Sequence, residues 1–402
     1  MCETGGHRRL FGQQPIVDPA VTHVELTAHC RLPSGGSNAK IAGLTEDLGL
    51  SGIQYNIALS LFFIPYVLLE VPSNILLKTF TRPSYYLGIL IVSWGIITTL
   101  TGAVQNFGGL LAGWVLSRCG LPLLTVVHAE GSRNPLSGKW LEVDEIRYLE
   151  LQHFIKEGGK FKEEKKKTSW KEIRAVIMNW RMYLLAYILL CQSACSYGTK
   201  FTLPTITKGM GFEGTNAQLM TVPPYVAGAI SAVFFSTLSD RFYWRMPFVV
   251  APLLLIITGY SIIMGLKGQL QAHIGPGFFA IILTCMGIYP THPATTSWTM
   301  NNLAPSNRRA IGSAFNICVG NIGGIIGSYM YLDREGPTYP TGFGLSLAFG
   351  GSALLAALIL EVSFVYANKR NGMMSESEIR DKYSDEQLLE MGDKSPLFKY
   401  TL

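Results

Sequence analysis

Charge is what this sequence has least of: Asp, Glu, Lys and Arg make up 15% of its 402 residues, while 48% are hydrophobic. Soluble domains carry about 25% charged residues, so this chain could not clothe two or three such domains in a polar surface. The charges it has are gathered in residues 1–50, in 128–181 and after Lys369, with long nearly uncharged windows between. The first thirty residues lack the uninterrupted apolar core of a signal peptide. "MCETGG" does not fit the myristoylation pattern either, so insertion into a membrane has to rest on internal helices.

Metal-ligand spacing is missing too. The cysteines, at 2, 30, 119, 191, 195, 285 and 318, form no zinc-like pair of pairs and mostly lie in apolar runs, where they read as small buried hydrophobes. Cys191 and Cys195 share a helix face by their spacing, which packing explains better than a metal does. No nucleophile elbow and no phosphate-binding loop is present, so neither an enzyme nor a bound cofactor is expected. The net charge of +6 sits in short clusters between apolar runs, which is a positive-inside bias and not a nucleic-acid surface.

What is present is a series of windows long enough to cross a bilayer, which takes about twenty mostly apolar residues. Nine spans are predicted, at 54–77, 84–105, 108–127, 182–203, 217–238, 247–266, 275–299, 310–332 and 342–366. The third is the weakest, because an uncompensated arginine, Arg118, falls at its middle. The expected fold class is therefore all-α, a polytopic membrane protein. Its divisions are a polar segment 1–50, an N-terminal membrane bundle 51–127, a linker 128–181, a six-helix bundle 182–368 and a polar tail 369–402.

Orientation follows from the basic residues in the connections. Lys78 with Arg82, the run "KFKEEKKK", Arg241 with Arg245, Arg308 with Arg309, and Lys369 with Arg370 mark one side, whereas Lys208, Lys267 and Arg334 stand alone on the other. The positive-inside rule puts the linker and the C-terminal tail in the cytoplasm and the N-terminus outside. Within the linker, "LEVDEIRYLELQHFIKEGG" reads as a surface helix ending at Gly-Gly. "NILLKTFTRP" and "STLSDRFYWRMP" echo one another, each closing a helix with two spaced basic residues and restarting at proline, as two bundles related by an axis along the membrane normal would.

"GLSGIQYNIALSLFFIPYVLLEVPSNILLK", "LSDRFYWR" and "NNLAPSNRRAIGSAFNICVGNIGGIIGSYMY" together resemble the major facilitator superfamily, and within it the fungal allantoate permease branch of the anion:cation symporters. The resemblance covers about 41–118 and 165–370. It implies a helical bundle that imports a small organic anion or vitamin, such as allantoate, nicotinate or pantothenate, usually with protons. It implies a multi-pass protein, most simply monomeric, in the plasma membrane, with the lipid bilayer as its surroundings. The chain departs from the family's twelve helices. No apolar span precedes 41–50, and "LLAGWVLSRCGLPLLTVV" joins what resembles the start of the fourth helix to the end of the sixth, so helix one, most of four, all of five and most of six are missing. Two readings therefore stand: a proton-coupled transporter working by alternating access, and a non-transporting remnant that acts as a sensor or partner of an intact relative.

Several polar residues inside the spans are candidates for the chemistry. Glu70 in "FFIPYVLLEVPSNILLK" must reach the interface, pair with a cation or stay protonated, and the resemblance places it at a gate with Lys78. Lys200, with Tyr197 one turn before it, either lines a cavity and attracts an organic anion or snorkels to the outer interface. The prolines and hydroxyls of "GIYPTHPATTSWTMNN" are unusual for a lipid-facing helix and make Tyr289, His292, Thr296 and Trp298 cavity candidates. His292 is the coupling candidate, since imidazole titrates near neutral pH, with a structural histidine as the other reading. Asn316 and Asn321, and with less support Tyr55 and Asn56, are further substrate contacts, while the glycines of "GNIGGIIG" read as close helix packing. Asp240, Arg241 and Arg245 resemble the superfamily's loop motif, in which charges clamp helix ends in one conformational state.

Overall fold

The computed structural model describes residues 48–61, scattered positions from 63 to 106, 107–119, and 170–402 apart from a few loop positions. Two short helices represent the N-terminal part, α1 (Gly52–Leu61) and α2 (Phe107–Cys119). The rest is a longer series: α3 (Trp170–Ile177), α4 (Trp180–Gly209), α5 (Gly214–Leu219), α6 (Val222–Arg241), α7 (Pro247–Gly265), α8 (Ile274–Asn301), α9 (Ser306–Met330), α10 (Pro340–Asn371) and α11 (Glu376–Lys382). No strand occurs among the described residues.

Among the described residues, five helical stretches are long and apolar enough to cross a membrane: Asn216–Arg241, Pro247–Gly265, Ile274–Asn301, Arg308–Met330 and Pro340–Asn371. α4 makes a sixth when joined to α3 across a 68° bend. These six correspond to the six C-terminal windows read from the sequence. Of the three N-terminal windows, 54–77 is described only in its first half, 84–105 at scattered positions and 108–127 as far as Cys119. The expected surface helix in the linker, Glu70 and Lys78 all lie outside the described residues.

Local chemistry sets the helix ends. The Asn179 side chain accepts a hydrogen bond from the Arg181 N–H and starts α4. Prolines stand in the first turns of α6, α7 and α10, where no backbone donor is lost. Lys369 and Arg370 close α10, complementing the negative end of its dipole. α3 differs from the rest, since its sequence WKEIRAVI buries Val176 while Trp170 stands exposed. That one-sided pattern, meeting a membrane span at a sharp bend, is how a helix lies along a bilayer surface.

In the bundle, α4 packs on α9 and α10, and α8 packs on α6 and α7. Glycine permits the closest of these approaches: a Cβ at Gly327 would sit 2.8 Å from the Ala194 carbonyl oxygen and 2.9 Å from the Gly198 nitrogen. α1 leans on this bundle through Tyr55, Leu59 and Phe63, which pack with Tyr197, Phe201 and Ile325. Large apolar side chains such as Ile230, Val233 and Phe234 on α6, and Leu355, Ile359 and Val362 on α10, are exposed on the outer faces. In a bilayer those faces meet lipid.

Residues 391–402 fold back across one end of the bundle, called here the tail end. Asp393 accepts from Arg308 at 2.8 Å and from Asn179 at 3.2 Å. The Thr401 carbonyl accepts from Trp298 and from Asn302, both at 3.0 Å, and the Arg245 N–H donates to the Leu402 carbonyl. The Tyr400 ring stacks on Phe364 with centroids 5.0 Å apart, and the Arg181 guanidinium lies 4.5 Å from the Tyr400 centroid. One short segment thus ties together the ends of α4, α8, α9 and α10 and the loop between α6 and α7.

Candidate functional site

α8 carries Pro290 and Pro293 in its interior, and each removes one backbone donor. Pro290 leaves the Met286 carbonyl without its helical partner, and Ser231 of α6 supplies one at 2.6 Å. Gln192 of α4, fully enclosed, donates to the neighbouring Ile288 carbonyl at 3.0 Å. Side chains from two neighbouring helices therefore hold the interrupted stretch of α8 in place.

That stretch presents Cys285, Tyr289 and His292 at helical spacing on one face, running from buried Cys285 to exposed His292. Tyr289 meets Tyr225 of α6 edge to face, with ring centroids 6.3 Å apart at 90°. Gly228, one turn after Tyr225, makes room for it: a Cβ there would lie 2.9 Å from Tyr289 Cε2 and 3.1 Å from the Cys285 carbonyl oxygen.

Lys200 completes the group from α4. Its Nζ lies 5.3 Å from the Tyr289 ring centroid and 5.4 Å from that of Tyr197, an ammonium between two aromatic rings. It is also close enough to His292 and Cys285 to interact with them electrostatically. Among the described residues Lys200 makes no ion pair. Tyr197 and Lys200 of α4 and Tyr289 and His292 of α8, far apart in the chain, thus come together, and Tyr225, Gly228 and Gln192 pack around them without having been foreseen.

The other expected contacts lie elsewhere. Tyr55 and Asn56 line a small recess with Phe201, Thr202 and Tyr331, one turn beyond Tyr197, and Phe63 packs on Tyr197 with centroids 4.7 Å apart. Thr296 donates to the His292 carbonyl at 2.9 Å. Trp298 is fully buried, about 13 Å along α8 from Tyr289, with its indole N–H on the Thr401 carbonyl. The tail therefore occupies Trp298, which stands apart from the Lys200 group. Asn316 is buried against α8, donating to Thr299 Oγ1 at 2.9 Å, and its Oδ1 has no partner among the described residues. Asn321 is buried on α9.

Of the expected gate, Asp240 and Arg245 form an ion pair at 3.0 Å, and Arg245 also donates to the Ser239 carbonyl and hydroxyl at 2.8 and 2.7 Å. This closes the loop on itself, while the Arg245 backbone links outward, its N–H donating to the Leu402 carbonyl and its carbonyl accepting from the Phe248 N–H. Arg241 is exposed. Sequence reading also passed over Glu361, a buried carboxylate in the middle of α10, which accepts from Trp244 Nε1 at 2.9 Å while Oε2 has no partner among the described residues. Its signal was available, since it is the one acidic residue in the window 342–366.

With this arrangement established, comparison with known proteins places it. The profile of the Major Facilitator Superfamily matches residues 146–328. An MFS-type transporter of Penicillium expansum, cnsO, is 28% identical over 92% of this chain and 86% of its own length. The high-affinity nicotinic acid transporter of Saccharomyces cerevisiae is 24% identical over 90% of this chain and 79% of its own. The Penicillium alignment runs over 450 positions against 402 residues here, so it includes positions this chain lacks. Among solved structures, the nucleoside transporter NupG aligns over 85% of this chain and 98% of its own, with a TM-score of 0.55 at 11% identity. The E. coli fucose:proton symporter aligns over 86% and 98%, with a TM-score of 0.53 at 14% identity. Over residues 146–328 in sequence, and in its fold, this chain is similar to the major facilitator superfamily.

Proposed function

We propose that the chain is a secondary transporter of a small organic anion, of the carboxylate-bearing vitamin or allantoate class, moved with a proton by alternating access, with the tail end of the bundle facing the cytoplasm. The observation that carries this is Lys200, a cation inside a membrane bundle with no acidic partner among the described residues, set between the rings of Tyr197 and Tyr289. A charge there is costly unless an anion compensates it, and the described residues supply none. A carboxylate can pair with the ammonium while a flat ring behind it lies against tyrosine. Nicotinate has both parts, and the similarity to a nicotinic acid transporter supports it as the first solute to try. His292, beside Lys200, is the group available to exchange a proton as the anion arrives.

The test is uptake of labelled nicotinate and allantoate into cells expressing the 402-residue chain, with and without a proton gradient. Gradient-dependent uptake that K200Q weakens by roughly tenfold or more supports the reading. No uptake of either solute with the protein at the membrane would favour the second reading, a non-transporting partner of an intact relative. The alignment positions missing from this chain are the observation that keeps that second reading open.

A further inference from the structure

A cavity of about 280 Å³ opens at the tail end of the bundle, well away from Lys200, and is lined by Met178, Asn179, Trp180, Arg181, Arg370, Asn371, Asp393, Lys394 and Tyr400. Three of these residues are cationic and one is acidic. The acidic one is already engaged, because Asp393 is held by Arg308 at 2.8 Å and by Asn179 at 3.2 Å. Arg370 and Lys394 are exposed and make no ion pair among the described residues. Arg181 is fixed in place, donating from Nε to Ser363 Oγ at 2.9 Å and lying over the Tyr400 ring. The cavity therefore gathers positive charge that the described residues leave without acidic partners.

We propose that this cavity binds a phosphate group, and that the phosphate belongs to an anionic phospholipid. Guanidinium groups match phosphate oxygens through paired donors, and an ammonium adds a point charge. The rim identifies the carrier. Met178, Trp180 and Tyr366 are 65%, 53% and 69% exposed, and Tyr366 lies one turn before Arg370 on the same face of α10. α3, with its exposed Trp170, leads into the cavity along the expected membrane surface. A headgroup could thus sit among the cations while its chains lie along apolar surface, which a free phosphate ion would not use. Such basic pockets between helices at the cytoplasmic side suit anionic headgroups. Because Lys394 and Tyr400 form the tail's side of the cavity, a bound headgroup would also hold residues 391–402 against the bundle.

The experiment is thermal unfolding of the full chain in lipid nanodiscs of phosphatidylcholine alone or with phosphatidylinositol or phosphatidylserine. Anionic lipid is expected to raise the midpoint by roughly 3 to 5 °C at a hundredfold excess over its dissociation constant. R370Q/K394Q, measured against its own midpoint in phosphatidylcholine, should lose the increment, while K382Q, on an exposed cation outside the cavity, should retain it. An increment that survives R370Q/K394Q, or no increment at all, overturns the site. If millimolar inorganic phosphate reproduces the increment in phosphatidylcholine discs, the lipid assignment falls. The readout needs no transport, so a failure of the transporter reading would leave it intact.

Discussion

Asn368 and Tyr400 bond to each other twice: the amide Nδ2 of Asn368 donates to the Tyr400 carbonyl at 2.8 Å, and its Oδ1 accepts the Tyr400 N–H at 2.8 Å. Asn302 grips Thr401 in the same reciprocal way, at 3.0 and 2.8 Å. An asparagine side chain copies the backbone's own donor and acceptor, so each grip works like one rung of a sheet. N368A is expected to cost about 2 kcal/mol, two hydrogen bonds at roughly 1 kcal/mol each, and to open the tail to proteases. Limited proteolysis with mass mapping should show cleavage within 391–402 rising in N368A and rising further in N302A/N368A.

Removing the ammonium of Lys200 removes the charge that would hold a carboxylate. A charge-assisted hydrogen bond contributes about 1.5 to 3 kcal/mol, so K200Q should weaken solute uptake by roughly tenfold to a hundredfold. Y289F, which keeps the ring, should cost far less than Y289A. Concentration-dependent uptake of all three variants, with surface expression measured alongside, decides this.

Gly228 seats Tyr289, and G228A would drive a methyl group into that ring. Overpacking of this kind costs about 1 to 3 kcal/mol. The Tyr289 ring is expected to shift and uptake to fall, and a second substitution, Y289A, should recover the lost stability by vacating the space. Thermal unfolding of both single variants and the double variant forms the cycle that tests the coupling.

Among the described residues, Trp244 alone donates a hydrogen bond to Glu361. W244F strips that hydrogen bond from a buried carboxylate and should cost about 1 to 3 kcal/mol. E361Q should be milder, since its amide oxygen can still accept from the indole. If W244F and E361Q prove equally harmless in nanodisc unfolding, the pair contributes nothing to stability.

Ser375 and Glu378 close the start of α11 with a capping box, and the backbone hydrogen bond from Ser375 holds the Glu378 carboxyl below its usual range. A carboxyl depressed in the folded state stabilises above the ordinary carboxylate range and loses that contribution as pH falls through its lowered value. Hydrogen exchange across 375–383 should therefore show the cap loosening under acid conditions, with E378Q removing most of the pH dependence. Unchanged pH dependence in E378Q would rule the cap out as its source.

The six C-terminal spans were legible because twenty apolar residues between turn signals have few other uses, and the helices overrun those windows only where polar ends extend past the apolar stretch. Tyr197 with Lys200 was legible from their spacing on one helix. Tyr289 as the second ring was readable only as a cavity candidate, because its distance from Lys200 depends on how α4 and α8 pack. Tyr225 and Gly228 gave no signal at all, lying in a helix that reads as uniformly apolar. The tail was missed for a different reason. "MGDKSPLFKYTL" has no helical or strand period, and its order comes from Asn302, Arg308 and Asn368, residues that a local reading assigns to helix ends. α3 was missed because two turns of amphipathic pattern are hard to see inside a charged linker.

The tail also sets an order of events. Residues 391–402 leave the ribosome after every helix they fasten, so the ends of α4, α8, α9 and α10 must wait, already inserted, for their last partner to be made. Translation interrupted before Asp393 would release a bundle with all its spans in the membrane, yet with Arg308 lacking its carboxylate and Trp298 and Asn302 lacking their acceptor.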